Sequence, residues 1–371
     1  MNIGFEAKRF FHNNTGLGNY CRDLIRILSK QYPQNNYFLY NPKPTLDNNS
    51  LVGGIVIEKN PSSIYKKFKN YWRQKAITND LVRDNIEIFH GLSGELPFSL
   101  KSKNIKSIVT IHDLIFVRYP ELYSHFDRKI HFLKFKKATQ NADLVIAISQ
   151  QTKEDIIQFF NIKSDKIKVI YQGCQEVFKQ KYSLEEKEEV RQNFNLPKKF
   201  ILNVGTIEER KNALIIVKAI KDIDTTLVLV GKETAYTKKL HQYIKEHQLE
   251  NKVLFLKKLT SKELAILYQL ADIFIYPSIF EGFGIPIIEA LYSNTAVITT
   301  NSGVFPEAGG PDSIYIDPTN VNQLQEAITY LLNDPQKRLE ITQKGFEFVQ
   351  KFNDEIIAQQ YMDCYLEVSA R

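Results

Sequence analysis

The chain has 371 residues, 43% of them hydrophobic, with 49 Lys plus Arg against 42 Asp plus Glu and a formal charge of +7. That length exceeds one ordinary core and suggests two or three domains, while the apolar share is normal for a globular protein able to bury ample surface. No run approaches 18 uninterrupted apolar residues, which excludes a spanning helix, and there is neither a solenoid-period repeat nor a low-complexity tract. Cys21, Cys174 and Cys364 are odd in number and lack metal-ligand spacing, so they are expected to be reduced, mostly buried thiols of a cytosolic protein. The amino terminus shows no basic, apolar, small-residue cleavage sequence, and no signal peptide is expected.

In chain order, the first segment carries Gly16-Leu17-Gly18-Asn19-Tyr20, expected in the first loop of a first domain. Residues 65–73 and 131–137 alternate aromatic and basic side chains at helical spacing, around Trp72 and Phe135. Such a helix can lie on a membrane with rings in the interface and ammonium groups among headgroups, or it can be a solvated face with an apolar stripe turned to the core. Residues 1–175 hold 26 Lys plus Arg against 15 Asp plus Glu, a net of +11, which leaves 23 against 27, a net of −4, for the remainder. The basic half reads as a surface for anionic partners.

Strand-like apolar runs are expected at 86–89, 107–111, 144–148, 168–171, 200–204, 227–230, 253–256, 273–276 and 296–299, with amphipathic helices between them, for example at 212–220, 234–247 and 261–270. Alternating helices and unbroken Val/Ile/Leu strands argue for parallel sheets covered on both faces, and the pattern occurs twice. The charged stretch 175–199 interrupts it and is the best boundary. Ligands of open parallel sheets bind outside the carboxyl ends of the strands. His112, Ser149, Gly205 and Glu281 all follow predicted strands at that edge. His90-Gly91-Leu92-Ser93-Gly94 resembles a nucleophile elbow but lacks the second spacing residue, so a hydrolase reading is weak.

The run from Glu281 to Glu289 is the most informative one. Gly282 and Gly284 let backbone approach a ligand, and a helix is expected to begin at Pro286, directing first-turn N–H groups at an anion. Glu281 then lies in the loop and Glu289 in the first turn, where a glutamate can also do no more than complement the helix dipole. Two acceptor-only carboxylates beside an anion site suit a ligand bearing hydroxyls as well as phosphate, such as a nucleotide sugar. Arg210 and Lys211, in the loop after Gly205, can neutralise a departing diphosphate without a metal. Asp222-Ile223-Asp224 has the look of a metal-binding Asp-x-Asp but precedes a strand, so it reads as a polar turn and no metal site is expected.

These segments together resemble the retaining glycosyltransferases of family 4: Glu281 and Glu289 as the paired glutamates, Gly16 to Tyr20, Ile111-His112-Asp113, Ala147-Ile148-Ser149, and Gly205 to Asn212, all in the family's order. The resemblance covers nearly the whole chain. It implies an α/β protein of GT-B architecture, with two Rossmann-like domains facing across a cleft and a final helix near 355–368 crossing back to the first. Residues 1–175 with 355–371 would bind the acceptor, and 176–354 the nucleotide sugar. It further implies Arg210 and Lys211 on the diphosphate, Glu281 on donor-sugar hydroxyls, Glu289 on the ribose, His112 facing the reacting centre, and Gly16, Gly18, Gly205, Thr206, Gly282, Phe283, Gly284 and Ile285 lining the donor site. Many relatives carry Arg where this chain has Thr206. The wording around Gly205 is most similar to mannosyltransferases, so GDP-mannose is the first expectation and UDP-glucose or a UDP-N-acetylhexosamine the second, with no further cofactor. The acceptor would be a glycan or a lipid-linked saccharide, met by a peripheral protein at an anionic membrane surface. Nucleic acid is not expected as a partner. A nucleotide-sugar epimerase of the same architecture and a non-enzymatic nucleotide or polyanion binder are the alternatives.

Overall fold

A computed structural model of the chain describes residues 1–13, 15–44 and 55–371. They divide into two compact units, Met1–Gly173 with Phe352–Arg371, and Cys174–Lys351.

The first unit is built on seven parallel strands: β1 (Asn2–Glu6), β2 (Asn36–Tyr40), β3 (Val56–Lys59), β4 (Ile88–Gly91), β5 (Lys106–Ile111), β6 (Leu144–Ala147) and β7 (Ile167–Val169). Their order is β3-β2-β1-β4-β5-β6-β7. The central strands β4 and β6 are buried at every position, as expected where helices cover both faces of a parallel sheet. Because the order reverses between β1 and β4, the crevice at their carboxyl ends is the natural ligand position. The final helix, Asp354–Ala370, belongs to this unit and packs on the helix Gly16–Gln31, as the resemblance implies.

The second unit repeats the plan with β8 (Phe200–Val204), β9 (Thr226–Val230), β10 (Val253–Leu256), β11 (Ile273–Tyr276), β12 (Ala296–Thr300) and β13 (Ile314–Ile316), ordered β10-β9-β8-β11-β12-β13. Ile201, Leu227, Leu229, Ile273, Ile275 and Ile298 bury their side chains in one cluster with the helices Ala213–Ala219 and Val321–Asn333. The switch in order falls between β8 and β11. Two helices of this unit begin with reciprocal caps, Thr260 with Glu263 and Ser183 with Glu186, each satisfying backbone donors that would otherwise be left unpaired, an effect of ~1 kcal/mol per cap. The charged stretch 175–199 is therefore largely helical, in Glu176–Lys179 and Leu184–Asn193.

Three expectations need correction. Gly16 and Gly18 lie in the first turn of a helix that begins directly after Thr15, not in a loop, because Asn13 Oδ1 gathers the Thr15 and Gly18 N–H groups and starts the helix early. Residues 65–68 are not helical; the helix starts at Lys69 and passes into a π-turn at Trp72–Ala76. Trp72 is fully buried, its Nε1–H donating to Asp80 Oδ2 at 2.7 Å, so it faces the core and not a membrane. Phe135 is likewise turned inward, half-buried against the core beside Phe116.

Candidate active site

In the second unit, β8 delivers the chain to Gly205, whose φ of +146° suits glycine, and whose N–H donates to Val230 O at 2.9 Å. The loop returns so tightly that a Cβ at Gly231 would stand 1.9 Å from Gly205 O. A 3-10 turn, Glu209–Lys211, then presents Arg210 and Lys211 before Asn212 opens the helix Ala213–Ala219 from a left-handed conformation. Asn212 Nδ2 donates to Pro318 O at 2.7 Å, and the Ile279 N–H donates to Arg210 O at 2.9 Å, binding this loop to the one after β11.

The two loops meet at Glu281. Its Oε1 accepts from Lys211 Nζ at 2.5 Å and from Tyr276 Oη at 2.9 Å, and its Oε2 lies 2.8 Å from Arg210 Nη1. Arg210 also donates to Phe280 O and, through Nη2, to Glu208 Oε1. Glu281, Lys211 and Arg210 side chains are 12%, 15% and 20% exposed, so their charges interact with little screening. Burial alone would raise the Glu281 pKa; the Lys211 and Arg210 charges outweigh it and hold the carboxyl at about 2. Burial works against the Arg210 charge too, but Glu281 more than offsets it and raises the pKa further.

Beyond Glu281, Gly282 is half-buried, Phe283 is buried, and Gly284, at φ +110°, caps the helix Ile285–Tyr292. Pro286 is thus the second helical residue, and Glu289 falls in the second turn, not the first. It accepts a hydrogen bond from Tyr268 Oη at 3.0 Å, and burial pushes its pKa up to about 7. Thr206 is half-buried directly after Gly205. Asp222 and Asp224 lie before β9, at the amino-terminal edge of the sheet and away from this cluster. Among the described residues no group of three or more His, Cys, Asp or Glu could hold a metal ion.

The first unit presents a different constellation. His112 follows β5 and is clamped at both ring nitrogens: Nε2 faces Leu92 O at 2.9 Å and must donate, while Nδ1 accepts from Gln172 Nε2 at 3.0 Å. Burial lowers its pKa to about 4, so the ring is neutral. Tyr20, two residues after Gly18, meets that ring edge-on at 4.6 Å between centroids. Tyr20 Oη in turn contacts Thr110 Oγ1 at 3.2 Å and Tyr361 Oη at 2.7 Å, and Thr110 leads to His90 Nε2 at 2.8 Å and on to Tyr365 Oη at 2.9 Å. Gly18 is required by packing, since a Cβ there would stand 1.7 Å from Asn13 O, whereas Gly16 has open space around it. Ser149 caps the helix Gln150–Phe160 and is wholly buried.

The structure thus gathers Gly205, Arg210, Lys211 and Glu281 into one cluster, seats Glu289 on the neighbouring helix, and places His112, Gly16 and Gly18 in the first unit. Sequence reasoning missed Tyr276, Tyr268, Glu208, Gln172 and the Tyr20 network. Tyr276 left a signal as the last residue of a strand that ends five positions before Glu281, and Tyr20 and Glu208 lay inside quoted motifs without a role of their own.

Two family models match the chain, one for Glycosyltransferase Family 4 over residues 14–175 and one for Glycosyl transferases group 1 over residues 185–348. The O-antigen chain mannosyltransferase RfbU of Salmonella typhimurium is 34% identical over 59% of this chain, an alignment that also spans only 59% of RfbU. The O-antigen chain mannosyltransferase B of Escherichia coli is 28% identical over 98% of this chain and 99% of its own length. In fold, the chain is similar to sucrose-phosphate synthase from Thermosynechococcus elongatus, with a TM-score of 0.80 at 22% identity, covering 100% of this chain and 99% of that one. With two switch-point Rossmann-like units, each matched by its own glycosyltransferase model, the chain belongs to the family 4 glycosyltransferases of GT-B fold.

Proposed function

We propose that the chain transfers a hexose, mannose as first choice, from a nucleotide sugar to a saccharide or lipid-linked saccharide, with retention of configuration and without a metal ion. The observation that carries this reading is the cluster of Arg210, Lys211 and Glu281 at the carboxyl ends of β8 and β11. In the reaction the bond from the anomeric carbon to the β-phosphate oxygen breaks and the acceptor oxygen attacks the same face of an oxocarbenium-like sugar. The acceptor's proton passes to the departing phosphate. Arg210 and Lys211 stabilise the charge that develops there, a role in which preorganised cations in a low-dielectric site are most effective. Glu281, held ionised with both oxygens engaged, serves as a hydrogen-bond acceptor and positioner of the two cations, not as a nucleophile. His112 is neutral and contributes by hydrogen bonding, a donor hydroxyl replacing Gln172 at Nδ1. Glu289 accepts from the ribose in place of the Tyr268 hydroxyl. Similarity to the O-antigen mannosyltransferases RfbU and mannosyltransferase B favours mannose, hence GDP-mannose before a UDP-sugar.

A melting-temperature screen of GDP-mannose, UDP-glucose and UDP-N-acetylhexosamines tests the donor, because a ligand of the folded state stabilises it with the logarithm of saturation. Nuclear magnetic resonance of the product formed with the preferred donor reads the anomeric configuration. Release of an epimerised sugar without acceptor would replace the transferase reading with the epimerase one, and no shift with any donor would remove both.

The reading extends to a peripheral attachment at an anionic bilayer. Ile64, Phe68 and Tyr71 are 73%, 63% and 51% exposed among Lys66, Lys67 and Lys69, which are themselves exposed. Each basic residue near such a surface is worth up to about 1 kcal/mol, weakening with salt. Co-sedimentation with anionic but not neutral vesicles at low salt is the expected result; equal partitioning onto both would reject it.

A further inference from the structure

The first unit contains a groove that none of the family motifs touches. It encloses about 210 Å³ between the π-turn at Gln74, the loop Leu96-Pro97-Phe98 and the helix His125–Asn141, which contributes Leu133, Lys134 and Lys137. Three features set it apart. Its walls are mainly apolar, and two large apolar side chains stay open to solvent there, Leu133 at 58% and Phe98 at 37% exposure. Leu133 continues a stripe of Phe126 and Ile130 along the same helix at four- and three-residue spacing, while Phe132 and Phe135 on the other face pack into the core. A groove of this size suits one slender hydrocarbon chain and is small for a drug-sized ligand.

The second feature is charge. Lys137 Nζ stands 4.1 Å over the Phe98 ring with no carboxylate partner among the described residues, and Lys134 reaches only Glu95 Oε1 at 3.3 Å. The third is continuity with the switch point of the first sheet. Arg73, in the π-turn, donates from Nη2 to Glu95 Oε2 at 3.1 Å and from Nε to Glu6 Oε1 at 2.9 Å. Glu6 ends β1 and Glu95 follows β4, the two strands between which a ligand is expected. Glu6 is 5% exposed, and among the described residues its second oxygen, Oε2, has no hydrogen-bond partner. A buried acceptor left without a donor is costly, and a sugar hydroxyl would satisfy it. The π-turn fits the same picture, since such turns frequently mark functional positions.

We propose that this groove seats the hydrocarbon chain of an anionic lipid phosphate that carries the acceptor saccharide, with the phosphate on Lys134 and Lys137 and the saccharide directed along Glu95 and Arg73 to Glu6. The inference rests on the reading of a lipid-linked acceptor and assigns that acceptor's place on the chain.

The test is a chain-length series of n-alkyl phosphates, from butyl to dodecyl, titrated calorimetrically into the full chain below their critical micelle concentrations, with inorganic phosphate as reference. Affinity should rise about fourfold per methylene, the equivalent of ~0.8 kcal/mol per buried CH₂, and then level off once the groove is full. Leu133→Glu and Lys137→Glu should each weaken the longest bound member at least about tenfold; both sites are exposed, so folding is not at stake, and the nucleotide-sugar melting shift reports it. A rise without a plateau, equal in the variants, would mean surface adsorption and overturn the proposal. Binding of inorganic phosphate as tight as that of dodecyl phosphate would also overturn it, leaving an anion site. Anionic vesicles bound while every alkyl phosphate is refused would overturn the groove and leave the bilayer reading standing. A plateau in a chain that binds no nucleotide sugar would support the groove while removing the transferase.

Discussion

At the edge of the first sheet, Tyr365, His90, Thr110, Tyr20 and Tyr361 form a continuous run of hydrogen bonds between neutral groups; at the edge of the second, Glu208, Arg210, Glu281 and Lys211 form a run of alternating charges. The strand order is the same in both, apart from the additional edge strand β7 of the first. Burial acts in the same direction on each, against the charged form, and the outcomes differ because of what is opposed to it. In the first unit no opposite charge is set against it; only the Leu92 carbonyl, accepting from His112, pulls the other way, so the pKa of His90 falls to about 3 and that of His112 to about 4, and both rings stay neutral. In the second, each charge faces an opposite one within hydrogen-bonding distance, and ionisation survives. A neutral, satisfied network suits a partner that offers hydroxyls, whereas a cluster with two cations suits one that leaves as a diphosphate. One topology therefore carries two chemistries, assigned by the side chains that its strands, loops and covering helices bring together.

The largest effect is expected from the charged side. Lys211→Ala, Arg210→Ala and Glu281→Gln should each lower turnover by more than about tenfold, at least ~1.4 kcal/mol of transition-state stabilisation. Removing one cation also leaves Glu281 short of a partner, so Glu281→Gln with folding checked by melting temperature separates chemistry from the cost of an unpaired buried charge. Near-normal turnover in all three would dissolve the contrast. Activity should also persist in excess chelator; loss in EDTA with recovery on adding magnesium or manganese would hand the neutralising role to a metal.

A second large effect depends on Glu289, which shares a motif with Glu281 but not its surroundings. Burial, with the Tyr268 hydroxyl as its one partner among the described residues, raises its pKa from 4.5 to about 7, while its neighbour is held at about 2. The folded chain therefore keeps a proton that the unfolded chain releases near 4.5, and the stability this gives is full below that value and lost as the pH rises through about 7, with a slope of at most ~1.4 kcal/mol per unit. A ribose diol donates to the ionised form, so donor affinity should climb with pH, by about tenfold between pH 6 and 8. Glu289→Gln should flatten both curves. An unchanged pH profile in that variant would place the titration elsewhere.

Gly231→Ala comes next. Its Cβ would meet the Gly205 carbonyl, so the loop bearing Arg210 and Lys211 must move, with a loss of about 1–3 kcal/mol and a weaker nucleotide-sugar melting shift. Full retention of that shift would show that the loop tolerates displacement.

What the sequence discloses follows the reach of local signals. Strands 200–204, 253–256 and 273–276 match their apolar runs residue for residue, because buried parallel strands are written as nearly continuous hydrophobic text, interrupted here only at Asn203. β1 and β2 left a poorer trace, the one interrupted by Gly4 and the other rich in tyrosine. Arg210, Lys211 and Glu281 were legible as residues just beyond strand ends, although their mutual ion pairing was not. Trp72 misled because an aromatic among lysines reads as surface until the π-turn and Asp80 bury it. Tyr20 stood in a recognised motif, but its network was illegible, since Tyr20 and Tyr361 stand 341 positions apart.

That long closure supports the smallest prediction. Tyr361→Phe removes one hydroxyl from the neutral run while keeping the ring that fills the space. Tyr20 loses its 2.7 Å partner but retains Thr110 at 3.2 Å, so no group is wholly orphaned, and the cost should be that of one net hydrogen bond, about 0.5–1.5 kcal/mol. Amide exchange should quicken in the helices Gly16–Gln31 and Asp354–Ala370, which the bond joins, and remain unchanged around Arg210 and Glu281. The nucleotide-sugar melting shift should be untouched. If exchange instead quickens in both units together, the neutral and charged edges are not the separate devices their chemistry implies, and the contrast between them holds only for the isolated sites.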